Sequence, residues 1–204
     1  MFRALLLIAV LSASAASAHD HLEARLFVIR SQLAQAGPSP VIFGGDSIVE
    51  SALLPAEVCG HRVVNAGIGG AKTYDYALAV RRLDFKAKAF VIGIGTNDSM
   101  PANVAEFPDR YRFLSKALSA RSELVLFADI PPLESGVNAE QFDPKSSDEI
   151  STMIRSYAGR QFVDIRSALI AINKKTVDGV HLAPEAQAIW LNTILTRLKS
   201  ALGC

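Results

Sequence analysis

The chain has 204 residues, half of them hydrophobic and 20% charged, with a formal net charge of +1. This composition supplies a substantial core and excludes a disordered or fibrous chain. No stretch concentrates Lys or Arg, which excludes nucleic acid and anionic membrane surfaces as electrostatic partners.

The first segment stands apart. Met1-Phe2-Arg3 is a short basic start, Ala4 to Leu11 is continuously apolar, and Ser12 to Ala18 contains only Ser and Ala. These n- and h-regions, with an Ala16-Ser17-Ala18 cleavage site, predict a secretory signal peptide over residues 1–18 and a single domain over 19–204. The apolar run falls far short of the roughly 20 residues of a spanning helix, so no membrane span is expected after removal. Loss of Arg3 leaves 20 basic against 20 acidic residues. The expected location is periplasmic or secreted.

His21 to Ala36 has helical spacing, with Leu22, Leu26, Ile29 and Leu33 on one face, and stops at Gly37-Pro38. A packing helix is expected there, with a small lid as the less favoured alternative. Val41 to Phe43 is a short apolar strand, Val63-Val64 the core of a second, and Ala89 to Ile94 a third. Leu124 to Ala128 and Phe162 to Ile165 make a fourth and a fifth. Helical patterns lie between them at Thr73–Leu83, Tyr111–Leu118 and Asp148–Tyr157. A last helix starts at Pro184, with Ile189, Trp190, Ile194 and Leu198 as its apolar face. Apolar strands alternating with helices predict an α/β fold with a parallel sheet covered on both faces. In such sheets ligands gather at the C-terminal strand ends, near a switch in strand order.

Small and amide residues end the first three strands. Gly45-Asp46-Ser47 follows the first, Asn65 to Gly70 the second, and Gly95-Thr96-Asn97-Asp98 the third. Ser47 alone reads as a helix cap, with Glu50 three residues on completing a capping box. Asp178-Gly179-Val180-His181 changes that interpretation. A carboxylate three residues before an imidazole can hold Nδ1 and leave Nε2 to take the hydroxyl proton of Ser47. An oxyanion then needs donors. The Ser47 N–H, the Gly70 N–H (with Gly69 as the fallback) and the Asn97 side chain are the candidates. Dinucleotide binding is disfavoured, because neither glycine block has the third glycine at the required spacing.

The four blocks Gly45-Asp46-Ser47-Ile48, Asn65 to Gly70, Gly95 to Asp98 and Asp178 to His181, in this order, resemble those of the GDSL, or SGNH, hydrolases. From Val41 onward the resemblance covers nearly all of the mature chain. It implies a three-layer, flavodoxin-like sheet of about five parallel strands and metal-independent ester hydrolysis without a cofactor. It assigns Ser47 as nucleophile, His181 as base and Asp178 as its orienter, with Ser47, Gly70 and Asn97 as the oxyanion hole. Two departures are Ile48 in place of leucine and a helix ahead of the first strand. An acyltransferase using the same three residues is the alternative, and a non-catalytic binding module a weaker one.

Small-molecule, lipid and acylated-carbohydrate esters are all open as substrates, and the loops Met100–Phe107 and Pro131–Lys145 are expected to shape their pocket. The oligomeric state is not legible. Cys59 and Cys204 can pair in an oxidising compartment, or Cys59 can be buried with Cys204 free. Trp190 is expected in the core, Asp129 as an acid fixing a loop, and His61 on the surface. Cleavage after Ala18 would place His21 third from a new amine, a pattern that chelates Cu(II), outside the catalytic scheme.

Overall fold

In this computed structural model the backbone is described for residues 2–137 and 139–204, with side chains from residue 19 onward apart from those of 102 and 139. The expected signal segment, 1–18, therefore lies outside the fully described residues.

Strand β1 (Val41–Gly45) pairs in parallel with β3 (His61–Gly67) on one side and β4 (Ala87–Gly93) on the other. Strands β5 (Ser122–Ala128) and β6 (Phe162–Val163) continue in parallel beyond β4. A two-residue antiparallel strand, β2 (Glu57–Val58), edges β3. The sheet order is β2-β3-β1-β4-β5-β6. The five parallel strands thus follow the flavodoxin order, with the direction of winding reversing at β1.

Alternation along each strand sorts the core into two halves. Ile42, Val64, Phe90, Ile92 and Phe127 face one side. There they meet α1 (Phe2–Ala36), α3 (Thr73–Arg81), α4 (Phe107–Ser119) and α5 (Pro144–Ala158). Val41, Phe43, Ala89, Val91 and Leu126 face the other. They are covered by α2 (Ser47–Glu50), α6 (Ile165–Ala168) and α7 (Pro184–Leu202). On α1, Leu26 and Ile29 are fully buried and Leu22 and Leu33 pack beside them, as the spacing predicts. Trp190 of α7 is buried with Ile194 and Leu198. No helix among the described residues is long and apolar enough to cross a membrane.

Several boundaries move for local reasons. The fifth predicted strand stops at Val163, because Asp164 caps α6 by accepting from the Ser167 N–H. α5 begins ahead of Asp148, since Asp143 accepts from the Lys145 and Ser146 N–H groups and Pro144 occupies the first turn. His61 is not a surface residue ahead of its strand. It is the first, half-buried residue of β3, its Nδ1 2.8 Å from the Ser39 carbonyl oxygen. Of the two fates left open for the cysteines, the bonded one is found. Cys59 and Cys204 form a disulfide with Cα atoms 5.9 Å apart, within the normal span.

Candidate active site

Parallel pairing brings Gly45 level with Gly67 and with Gly93, so three strands end at one rim. Beyond Gly45 the chain turns into α2. Its N-cap is Asp46, whose Oδ1 accepts from the Ile48 N–H at 3.0 Å. Ser47 is therefore the first helical residue rather than the cap, and its hydroxyl is not engaged by its own helix. Nor does its N–H have a partner inside the helix, as for every first-turn residue. Glu50 likewise makes no capping box. Its carboxylate turns toward the Gly69 N–H.

His181 arrives from the opposite end of the sequence. Val177 N–H donates to the His181 carbonyl at 2.8 Å, and Thr176 bridges Leu182, which closes the loop ahead of α7. Inside it Asp178 Oδ1 accepts from the Val180 and His181 N–H groups at 3.0 and 2.8 Å. Its Oδ2 lies 2.7 Å from His181 Nδ1, and His181 Nε2 lies 2.9 Å from Ser47 Oγ. With Nδ1 protonated toward Asp178, Nε2 accepts the serine hydroxyl. A second clasp holds the loop from outside. Glu134 Oε2 accepts from the Lys175 and Thr176 N–H groups and from the Thr176 hydroxyl. Burial pushes the Glu134 carboxyl up, but those donors outweigh it and hold it below its ordinary range.

The segment after β3 forms a tight turn, with the Ala71 N–H donating to the Ile68 carbonyl at 3.2 Å. Gly70, its third residue, has φ +74°, which a side chain would resist. Ile68 N–H donates to Gly45 O, and Gly69 N–H to Glu50. Among the described residues the Gly70 N–H has no hydrogen-bond partner, and Gly70 is exposed. The Asn97 amide donates one proton to Ala71 O at 3.1 Å, which leaves its second proton uncommitted. Asp98 accepts from the Thr73 N–H and hydroxyl, both at 2.9 Å, so it secures the start of α3 rather than capping its own loop.

Two hollows flank this arrangement. One of about 290 Å³ runs beside Gly69 and Gly70 and is lined by Leu22, Ile68, Ala71 and Ala79. The other, about 850 Å³, is lined by Leu133, Gly136, Val137 and Phe142 and lies against the Asp178 loop. That second hollow falls in the Pro131–Lys145 loop expected to contribute to a pocket.

Residues 37–189 match the model of the GDSL-like lipase/acylhydrolase family. The chain belongs to that family. Membership makes this GDSL-family protein an ester hydrolase of the serine class. No curated protein matches the sequence. Among solved structures, one from Streptococcus pneumonia described as a candidate platelet activating factor superposes with a TM-score of 0.76 at 20% identity, covering 94% of this chain and 99% of that one. An acetyl-xylooligosaccharide esterase variant from Geobacillus Stearmophilus has a TM-score of 0.63 at 21% identity, over 80% and 95%. A carbohydrate acetylesterase from Sinorhizobium meliloti has 0.65 at 17%, over 80% and 99%. At such identities the likeness carries the fold, which is that of the GDSL-family structures.

Four roles around the site escape a motif search: Asp46 as cap, Glu50 and Arg25 beside the glycine turn, and Glu134 behind the histidine loop. Only Asp46 had a local signal, being a good cap residue directly before a helical run. The others act across 19 to 42 positions of sequence.

Proposed function

We propose that this protein is an exported esterase that cleaves oxygen esters of small or medium acyl groups through an acyl-enzyme on Ser47. The observation that carries the proposal is the 2.9 Å approach of Ser47 Oγ to His181 Nε2, two atoms 134 residues apart in sequence, with Asp178 on the far nitrogen.

In this scheme Ser47 Oγ attacks the ester carbonyl while Nε2 takes its proton, and Asp178 stabilises the imidazolium. The tetrahedral oxyanion is held by the Ser47 and Gly70 N–H groups and the second proton of Asn97. Collapse expels the alcohol, protonated by His181. Water, deprotonated by the same nitrogen, then releases the acid and regenerates Ser47. The two flanking hollows are the sites offered to the acyl and alcohol portions. Acylated carbohydrates are the favoured substrate class, by analogy with the two carbohydrate-esterase neighbours.

Ser47→Ala and His181→Ala should each reduce p-nitrophenyl acetate turnover to background, a loss of at least about 10³-fold. Wild-type turnover in either variant removes the scheme. Initial rates from C2 to C16 esters would locate the acyl preference. Added alcohol that diverts the acyl group from water would favour the acyltransferase alternative. For export, the composition of residues 1–18 and the Cys59–Cys204 bond give the support, and a mature N-terminus other than His19 by sequencing would count against cleavage after Ala18.

A further inference from the structure

An oxyanion pocket works only if its donors are fixed before the charge develops, because a turn that must reorganise forfeits the advantage. The turn Ile68–Ala71 carries one proposed donor, and α2 carries another at Ser47. The side chain of Glu50 links the two elements. Glu50, the last residue of α2, accepts the Gly69 N–H through Oε2, in the peptide immediately before the one that presents the Gly70 N–H.

Two side chains from α1 hold that carboxylate, one of them the Arg25 guanidinium. His21 Nε2 lies 3.2 Å from Oε2 and Arg25 Nε lies 3.4 Å from Oε1. Arg25 also donates to Gly67 O at 2.8 and 3.0 Å, and so grips the chain entering the turn. From β3, the Asn65 amide donates to Val49 O at 2.9 Å and Glu50 O at 3.2 Å, which pins α2 from beneath. The turn is close-fitting as well. A Cβ at Gly69 would lie 3.1 Å from Glu50 Oε2 and 3.8 Å from Ser47 Cβ.

We infer that Glu50 is a positioning residue that fixes the Gly70 N–H relative to the Ser47 N–H, with His21 and Arg25 holding its carboxylate. This rests on the acyl-enzyme scheme above. Because the donors matter most when the oxyanion exists, disturbing them lowers kcat and leaves KM nearly unchanged. Glu50 touches no reacting atom, and its action passes through the turn.

The test uses the purified chain with its disulfide intact, p-nitrophenyl acetate as substrate and an alkylboronic acid as tetrahedral mimic. Glu50→Ala should lower kcat about tenfold or more, bounded by the roughly 10²–10³-fold loss for removing one donor outright. KM should stay within about twofold, and boronate affinity should weaken by a factor similar to that of kcat/KM. Glu50→Gln keeps an acceptor for the Gly69 N–H and should recover most of kcat. Glu50→Asp withdraws the acceptor yet keeps the charge, and should resemble the alanine variant; it serves if Glu50→Ala does not fold. A folded alanine or aspartate variant with wild-type kcat overturns the inference. So does a change confined to KM, or a folded Gln variant no better than Ala. Fluorophosphonate labelling of wild-type Ser47 separates the two levels: its absence overturns the acyl-enzyme scheme, whatever Glu50 does.

Discussion

Asp46, the residue before the proposed nucleophile, is 1% exposed, and burial raises its carboxyl from 3.8 to about 7. The Ile48 N–H opposes that shift, while Asp98, itself raised by burial, adds to it. A carboxyl raised on folding binds its proton more tightly in the native state. Its contribution is therefore most favourable below the unfolded value and declines as pH climbs from about 4 to about 7. Asp46→Asn keeps an acceptor for the Ile48 N–H and removes the buried charge. Its melting temperature relative to wild type should rise by several degrees between pH 4 and pH 8. A difference that stays constant with pH would reject this account. Asp129 was expected to fix a loop. It proves to be buried after β5, with its nearest cation, Arg166, at 3.9 Å, and burial raises it to about 6. At this scale the sequence was legible where chemistry demands an unusual pair, such as Asp178 with His181. It was not legible where one side chain does a common job in a buried setting: Ser47 with Glu50 reads as a capping box, yet Asp46 caps and Glu50 reaches across to another loop.

Among the elements, α2 is only four residues long and depends on its bed. A Cβ on Gly67 would sit 2.2 Å from the Glu50 backbone nitrogen, so β3 and α2 can touch only through glycine there. Gly67→Ala should cost about 1–3 kcal/mol by overpacking. It should also lower kcat, since α2 must lift off β3; denaturant melts and kinetics on one preparation would check both. Long periodic segments were read well: the apolar faces of α1 and α7, and the five parallel strands, emerged from spacing alone. β2 did not, because two residues make no pattern. The spacing predicts α1 as packing, and it packs, but its polar face also grips the Asn65 and Gly67 carbonyls through Arg25, a contact 40 and 42 positions away that no local signal encodes.

Across the whole molecule, acids pull stability in two directions. Asp46, Asp98 and Asp129 are raised by burial and weaken the fold as pH rises from about 4 toward neutrality. Glu134, Asp143 and Asp164 are lowered overall; hydrogen bonds from Ser146 lead at Asp143, while at Glu134 and Asp164 donors outweigh burial. Lowered groups stabilise above their unfolded values, and that stability is lost as pH falls through the folded ones. The melting temperature should therefore be highest on the acidic side of neutrality and decline toward both pH 3 and pH 8. A maximum at pH 8 or above would contradict this. Reducing the Cys59–Cys204 bond should remove about 2–5 kcal/mol, read as a lower melting temperature, with little change in kcat at 25 °C.

That bond has a topological result as well. It closes a covalent ring over positions 59 to 204 that contains Asn97, Asp178 and His181, while Ser47 sits on the open arm outside it. A protease cutting one exposed stretch of the ring, such as the 135–137 segment, cannot release a fragment. Both pieces remain one molecule until a thiol reagent is added, and hydroxyl and imidazole still arrive on the same particle.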